Sequence, residues 1–464
     1  MTTWEGERRL FGTDGVRDIA NRGAMTPESA LSFGRAYASF LAGRGVARPK
    51  IVTCRDTRIS GTMIERALHA GMMSEGAEPH ALGIFPTPGV SFVLRQGGFD
   101  AGAVISASHN PAEYNGIKFF DARGFKLTDD DEAAVEGFVM GGTLKERPRP
   151  TGGDIGSLVE AGDRGRAYVE WLRGMLSAIR GRGFRLTIDA ANGAASDIAR
   201  QVFELWGSDV LYRGADYDGV NINDGVGVMH MGSLTGAVKS SSSRLGMAFD
   251  GDADRVLLCD RAGRVIDGDI MLWIIGRCLK SAGALGRGVV ATVMSNMALE
   301  ETLGEHGIEV FRCAVGDRYV LERMRETGSR LGGEQSGHVI ASDYVSTGDG
   351  ICTGLLFLKS CAELGEDIDT LADRFPRYPQ LLKSMRVDDR EAALSSPMLE
   401  EACENARARL SGAGRLFLRP SGTEPLIRIL VEARDEALML AVSRDIEETI
   451  LKIGQNSRKM LRKR

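Results

Sequence analysis

Three carboxylates at alternate positions, Asp250, Asp252 and Asp254 in AFDGDADRV, form the most explicit chemical pattern in the chain. Alternation lets an extended or looped backbone aim all three to one side. Such a set suits a hard, oxygen-loving divalent cation, with magnesium favoured at a phosphate site. A calcium EF-hand is excluded, because the sixth position is Arg255 rather than glycine and the twelfth is Arg261 rather than glutamate. Apolar residues flank the loop on both sides, Met247 to Phe249 and Val256 to Leu258. The carboxylates are therefore expected to line a crevice rather than a solvated turn.

Three further loops carry groups that could do chemistry. In ISASHNPAEYNGIKFF (105 to 120) an apolar approach gives way to Ser106, Ser108, His109, Asn110 and Pro111. Ser106 still belongs to the strand-like run, and Ser108 lies beyond it. A serine hydroxyl is a poor nucleophile unless a neighbour accepts or relays its proton. His109 and Lys118 are near enough in sequence to serve. A hydrogen-bonded turn accounts for the same residues equally well. In LGGEQSGHVI, Glu334, Gln335, Ser336 and His338 offer the mixed donors and acceptors that sugar hydroxyls need, with a plain turn as the rival reading. In RPSGTEPLIR, Arg419 and Arg428 bracket Ser421, Gly422 and Thr423. Guanidinium forks match phosphate oxygens, loop amides and hydroxyls complete a nest, and Gly422 allows close backbone approach. TDDDEAAVEGF (128 to 138) makes the contrast. Its acids are consecutive, follow Thr128 and open a helix, where the helix dipole favours them, so they are assigned no catalytic role.

The elements that must position these loops alternate between two periods. Thr26-Pro27-Glu28 reads as a helix start, with Ala30, Phe33, Tyr37, Phe40 and Leu41 on one face and Gly43 at the end. KIVTC at 50 to 54, DAGAVIS, FRLTIDA, LGMAFD and GVVATVM read as strands. This is the pattern of an α/β protein with mixed or parallel sheets. Boundaries are expected at 144 to 157, 258 to 269 and 373 to 380. The last region changes character, with strands RLFLRP and LIRILVEAR and a helix bearing Val442, Ile446, Ile450 and Ile453 on one face. In open α/β sheets ligands bind beyond the carboxyl ends of strands, where all four loops fall.

Bulk properties narrow the class. At 464 residues the chain is long enough for three or four domains. Lys and Arg total 58 against 63 acids, a net charge of −5, so no global field draws nucleic acid or a membrane. Seven scattered cysteines with no C-x-x-C pair fit neither zinc nor a disulfide framework and point to a reducing compartment. MTTWEGERRLFG lacks the apolar core of a signal peptide, and no run of about 18 apolar residues exists, so a cytoplasmic location is expected.

Six motifs in order, LFGTDGVRDIAN, ISASHNPAEYNGIKFF, AFDGDADRV, AVGDRYVLERM, GGEQSGHVI and RPSGTEPLIRI, resemble the α-D-phosphohexomutase superfamily over nearly the whole chain. The resemblance implies four domains around a central cleft: three of related α/β topology with mixed sheets, at 1–155, 156–257 and 258–373, and a smaller C-terminal α+β domain at 374–464. It implies that Ser108, not Ser106, carries the phosphoryl group. It implies Mg2+ held by Asp250, Asp252, Asp254 and an oxygen of the Ser108 phosphate. It matches Glu334 and Ser336 to sugar contacts. It matches Arg419, Ser421, Gly422, Thr423 and Arg428 to the grip on the non-reacting phosphate. Arg17, His109, Lys118 and His338 match polar groups near the reacting centre. The implied reaction moves a phosphoryl group within a phosphosugar through a hexose 1,6-bisphosphate, with Lys118 or His109, its pKa lowered, as general base. FGTDGVR, VGDRYV and GEQSGH lean toward an amino-sugar phosphate, with Gln335 beside Glu334 suited to a 2-amino group; glucose and mannose phosphates are the alternative. A homodimer is also suggested. Two stretches depart from the family pattern: GVMH within 221 to 234, and Val345 where a hydroxyl is frequent. A histidine-rich paired-metal phosphatase is disfavoured because the six histidines are isolated. A non-catalytic sugar-phosphate sensor is disfavoured because Ser108 and all three aspartates are present.

Overall fold

The segments Ala101–Ile105, Leu186–Asp189, Leu245–Phe249 and Gly288–Thr292 are strands, and every residue in them is buried. Burial on both faces is what helix-covered parallel strands require. The computed structural model describes residues 10–12, 14–142, 144, 147–179, 183–420 and 425–461. The chain divides into two compact units: Met1–Thr292 with Phe311–Ala372, and Val293–Val310 with Asp373–Arg464.

Three sheets belong to the first unit, except for Glu309 and Val310 at the start of one strand. The first runs Val16–Ile19, Tyr114–Asp121, Ala101–Ile105, Lys50–Arg55, Glu78–Ile84, Val159–Glu160. Lys50–Arg55 is parallel to both neighbours, and Tyr114–Asp121 is antiparallel to Ala101–Ile105. The second runs Val265–Ile266, Val256–Asp260, Leu245–Phe249, Leu186–Asp189, Val210–Arg213. Here Leu186–Asp189 is parallel to both neighbours, and Val256–Asp260 is antiparallel to Leu245–Phe249. The third runs Glu309–Cys313, Gly288–Thr292, Leu331–Gly333, Val339–Ala341, with the middle pair parallel and the last pair antiparallel. Each sheet thus contains the same step, a parallel strand that turns into an antiparallel neighbour. The three turns carry Ser108, then Asp250 to Asp254, then Glu334 to His338. The related topology of the three sheets is present, although the three turns differ in sequence.

The second unit has an antiparallel sheet, Gln380–Arg386, Leu426–Ala433, Gly414–Pro420, packed against the helices Pro397–Leu410 and Glu436–Leu461. Val442, Ile446 and Ile450 are buried in its core, with Ile453 partly so. Among the described residues no helix is long and apolar enough to cross a membrane.

Helix starts follow the sequence signals. Thr26 caps Pro27–Gly43 and Thr128 caps Asp129–Met140. The acids behind Thr128 pair with arginines, Asp131 with Arg44 and both Asp129 and Glu132 with Arg318, which is a structural role.

A buried link joins the helices Arg166–Ser177 and Gly350–Leu364. Tyr168 donates its hydroxyl to Asp349 Oδ2 at 2.9 Å, and Asp349 Oδ1 caps the second helix by accepting from Cys352 N at 2.9 Å. Burial pushes the Asp349 carboxyl up to about 7. The unfolded chain releases this proton near the ordinary 3.8, whereas the fold keeps it until about 7. Stability therefore falls as pH rises through that window. Asp349→Asn keeps the cap and removes the buried charge. It should raise unfolding stability at pH 8 by roughly 1–3 kcal/mol, less than full linkage because a buried carboxylate relaxes and hydrates. Thermal melts from pH 4 to 8 check this; an unchanged pH slope in the variant would assign the penalty elsewhere.

Candidate active site

The turn after Leu245–Phe249 is closed by the pairing of Val256 with Phe249, which forces the intervening aspartates into a tight, buried loop. One oxygen from each of Asp250, Asp252 and Asp254 lies within 4.8 Å of the others. Asp250 Oδ1 accepts from the Arg255 amide at 3.1 Å. Asp252 Oδ2 accepts from Thr87 Oγ1 at 2.6 Å and from Lys118 Nζ at 2.9 Å. Asp252 Oδ1 and Asp254 Oδ1 are buried with no hydrogen-bond partner. Buried carboxylates without partners are costly. The set fits a divalent cation, which would give the unpartnered oxygens a partner and supply the missing positive charge. Burial, then Asp254 and Asp252, push Asp250 well above the usual carboxylate range. Burial acts the same way on Asp254, but Lys118 and His338 outweigh it and hold that group well below the range.

The serine loop begins one residue earlier than the strand-like run suggested. The strand ends at Ile105, and Ser106 is the first residue of the turn, its amide still bonded to Gly116 O at 3.0 Å. Ser106 Oγ is occupied: it donates to Asp56 Oδ2 at 2.7 Å and accepts from the Ser108 amide at 2.9 Å. Ser108 Oγ faces the aspartates and donates to Asp250 Oδ2 at 2.6 Å. Ser108 has φ of 53°, in the left-handed region that side-chain-bearing residues seldom adopt. Ala191, Asn192, Asn223 and Ala253 share that conformation, and all stand in the loops around this point. Gly251 is required there, since a Cβ on it would meet Ser108 O at 2.5 Å.

The remaining first-unit candidates converge on the same place. His109 Nδ1 lies 3.3 Å from Ser108 Oγ. Burial, with Arg255 and Arg17 nearby, lowers its pKa to about 4, so the imidazole is neutral near pH 7. Lys118 overturns the expectation of a lowered lysine. Burial opposes its charge, but Asp252 and Asp254 outweigh burial and hold the ammonium above its ordinary range. Arg17 pairs with Asp14 and keeps a buried Nε without a hydrogen-bond partner. His338 accepts from the Gly348 amide at Nε2, 3.2 Å, leaving Nδ1 3.7 Å from Asp254 Oδ1. Glu334 Oε1 accepts from the Gly316 amide at 3.0 Å, and Ser336 Oγ donates to Glu334 Oε2 at 3.3 Å.

In the second unit, Arg419 and Arg428 stand directly opposite each other across two paired strands. Like charges in that position destabilise a sheet unless an anion sits between them. Burial, then the charge of Arg428, lowers the Arg419 pKa. Ser421, Gly422 and Thr423 lie outside the described residues.

Comparison with known proteins gives the architecture its place. Family models described as phosphoglucomutase/phosphomannomutase match in order: alpha/beta/alpha domain I over residues 8–145, domain II over 166–263, domain III over 267–378 and the C-terminal domain over 382–449. A phosphoglucosamine mutase from Desulforamulus reducens is 44% identical over 443 residues, which is 95% of this chain and 99% of that protein. One from Moorella thermoacetica is 46% identical, covering 92% and 96%. The chain belongs to the phosphoglucomutase/phosphomannomutase family. A family member from Burkholderia thailandensis shares the fold at a TM-score of 0.78 and 24% identity, covering 95% of this chain and 97% of that one. An N-acetylphosphoglucosamine mutase from Aspergillus fumigatus, solved with GlcNAc-6P and magnesium, superposes at 0.69 with 18% identity, covering 97% of each chain.

Several residues passed over in the sequence complete this family member's site. Thr87 supports Asp252. Lys126 bridges Asp14 and Asp317 beside His338. Asp56, Arg58 and Asn223 hold the serine loop. Asp56-Thr57-Arg58 follows the strand recognised at 50 to 54, so the strand-end rule that selected the other loops would have found it. Of the two departures from the family pattern, Val228–His230 forms one short 3-10 turn, and Val345 is buried.

Proposed function

We propose that this chain interconverts glucosamine 6-phosphate and glucosamine 1-phosphate through a phosphoserine at Ser108. The observation that carries the reading is Ser108 Oγ at 2.6 Å from Asp250, inside a buried carboxylate set with two oxygens left over. The phosphoglucosamine mutases among its relatives support the choice of sugar. The phosphoryl group passes from Ser108 to the free hydroxyl of the sugar phosphate, giving a 1,6-bisphosphate. That intermediate turns over, and its other phosphoryl group returns to Ser108.

Phosphoryl transfer depends on charge neutralisation and in-line placement. Magnesium, held by Asp250, Asp252, Asp254 and a phosphoserine oxygen, would stabilise charge on the transferring group. Lys118 stays protonated and balances Asp252 and Asp254. His109, neutral and beside Ser108 Oγ, is the group suited to hold the proton exchanged with the sugar hydroxyl. Arg17 offers its free Nε–H to phosphate oxygens, and His338 presents an Nδ1 proton toward Asp254. Glu334 and Ser336 contact sugar hydroxyls. Arg419, Ser421, Gly422, Thr423 and Arg428 grip whichever phosphate is not reacting. The four-domain division near 155, 257 and 373, a hexose 1,6-bisphosphate activator, a homodimer and a cytoplasmic role in amino-sugar nucleotide and cell-wall precursor synthesis belong to the same reading.

The test is kcat/KM for glucosamine 1-phosphate against glucose 1-phosphate and mannose 1-phosphate, with magnesium and a trace of bisphosphate. A preference of about a hundredfold or more for the amino sugar, on the order of 3 kcal/mol in transition-state binding, is expected. Equal or reversed preference would assign the enzyme to glucose or mannose phosphates instead.

A further inference from the structure

The serine loop is held from two domains at once. Arg58 Nη2 donates to Ser108 O at 3.0 Å and to Asn110 O at 2.8 Å, and Arg58 Nη1 donates to Pro111 O. Asn223 Nδ2 donates to the same first two carbonyls, at 2.9 Å each. Arg58 precedes the helix Ile59–Ser74 within the domain I match, and Asn223 lies within the domain II match. Both side chains are buried. We propose that Arg58 and Asn223 are positioning residues for the phosphoryl-carrying serine, a two-domain clamp on the Ser108 and Asn110 carbonyls that aims the Ser108 hydroxyl at the carboxylate set.

The clamp is itself fixed. Arg58 Nε donates to Asp56 Oδ2 at 2.9 Å, and its amide donates to Asp56 Oδ1 at 3.0 Å. The same carboxylate accepts from Ser106 Oγ, which in turn accepts from the Ser108 amide. One buried cluster therefore holds both the N–H and the C=O of Ser108. On the other side, the Asn223 amide donates to Ala191 O at 2.8 Å, at the end of the strand Leu186–Asp189. Its reach is set by the second sheet, which also carries the aspartates. The clamp so ties the serine and the carboxylates to one frame.

These contacts explain how Ser108 keeps a left-handed backbone. None of the donors touches Oγ, so the clamp acts on the hydroxyl through the Ser108 backbone. Their loss should misplace the hydroxyl, to which phosphoryl transfer is sensitive. It should leave the sugar and distal-phosphate contacts alone.

The inference rests on Ser108 being the phosphoryl carrier. The test compares Asn223→Ala, Arg58→Lys and the double variant with wild type, using the full chain with magnesium and bisphosphate. Asn221→Ala is the control, because the Asn221 side chain bonds only within its own loop. For Asn223→Ala kcat should fall by about tenfold to a hundredfold with KM within about threefold. Arg58→Lys should lose more. The double variant should lose less than the product of the two, because both residues hold the same carbonyls. The 31P resonance of the phosphoserine should shift in the variants and not in the control. A kcat for Asn223→Ala within about twofold of wild type, or a loss confined to KM or to melting temperature, would overturn the clamp; this variant decides the matter if Arg58→Lys does not fold. An active Ser108→Ala enzyme would overturn the phosphoserine reading and the clamp together. An inactive one beside a normal Asn223→Ala enzyme would overturn the clamp alone.

Discussion

Ser108→Ala is expected to abolish turnover while leaving the protein folded. The loss should be about 10^5-fold or more, roughly 7 kcal/mol of transition-state stabilisation. The reason is geometric. Ser106 is the only other hydroxyl in this loop, and both of its hydrogen-bonding roles are taken by Asp56 and the Ser108 amide. Of these two serines, only Ser108 turns its Oγ to the carboxylates. Removing one hydroxyl leaves the backbone clamp intact, so melting temperature should change little. A coupled mutase assay, a thermal melt and mass spectrometry of the phosphopeptide test the three parts. Substantial residual activity with normal phosphorylation elsewhere would defeat the assignment.

Asp250→Asn should separate activity from stability. In the fold, burial and two neighbouring carboxylates disfavour the ionised Asp250. An amide of the same shape relieves that repulsion, so the metal-free variant should melt no lower than metal-free wild type. Its activity should nevertheless fall by about 10^3-fold, because a ligand and a negative charge are lost from the cation site. Magnesium should raise the melting temperature of wild type by binding the native state, worth about 2.7 kcal/mol at a hundred times Kd. That increment should shrink or vanish in the variant. A marked loss of metal-free stability would mean that Asp250 is held by contacts stronger than the repulsion. Chelation of wild type should silence the enzyme, and magnesium should restore it.

Much of this was legible in the chain. Strands such as Ala101–Ile105 and Gly288–Thr292 announce themselves because buried parallel strands need largely apolar runs. Thr26 and Thr128 announce helices because capping is local chemistry. The choice between Ser106 and Ser108 came only from family resemblance, since a list of residues does not say which hydroxyl is already bonded. The charge state of Lys118 is not legible in the sequence for a related reason. Its deciding partner, Asp252, is 134 residues away, and burial alone would have predicted the opposite shift. Asn223 stayed hidden because its task is to reach a carbonyl 115 positions earlier.

The strand-turn-strand step that recurs in the three sheets puts three different sets of polar groups at equivalent positions. One structural address has been filled three times, once by the loop of Ser108, once by three buried carboxylates and once by the polar run from Glu334 to His338. The constraint is contact between turns. Gly251 presses so closely on Ser108 that no side chain fits between them, so two of these turns can drift only in step.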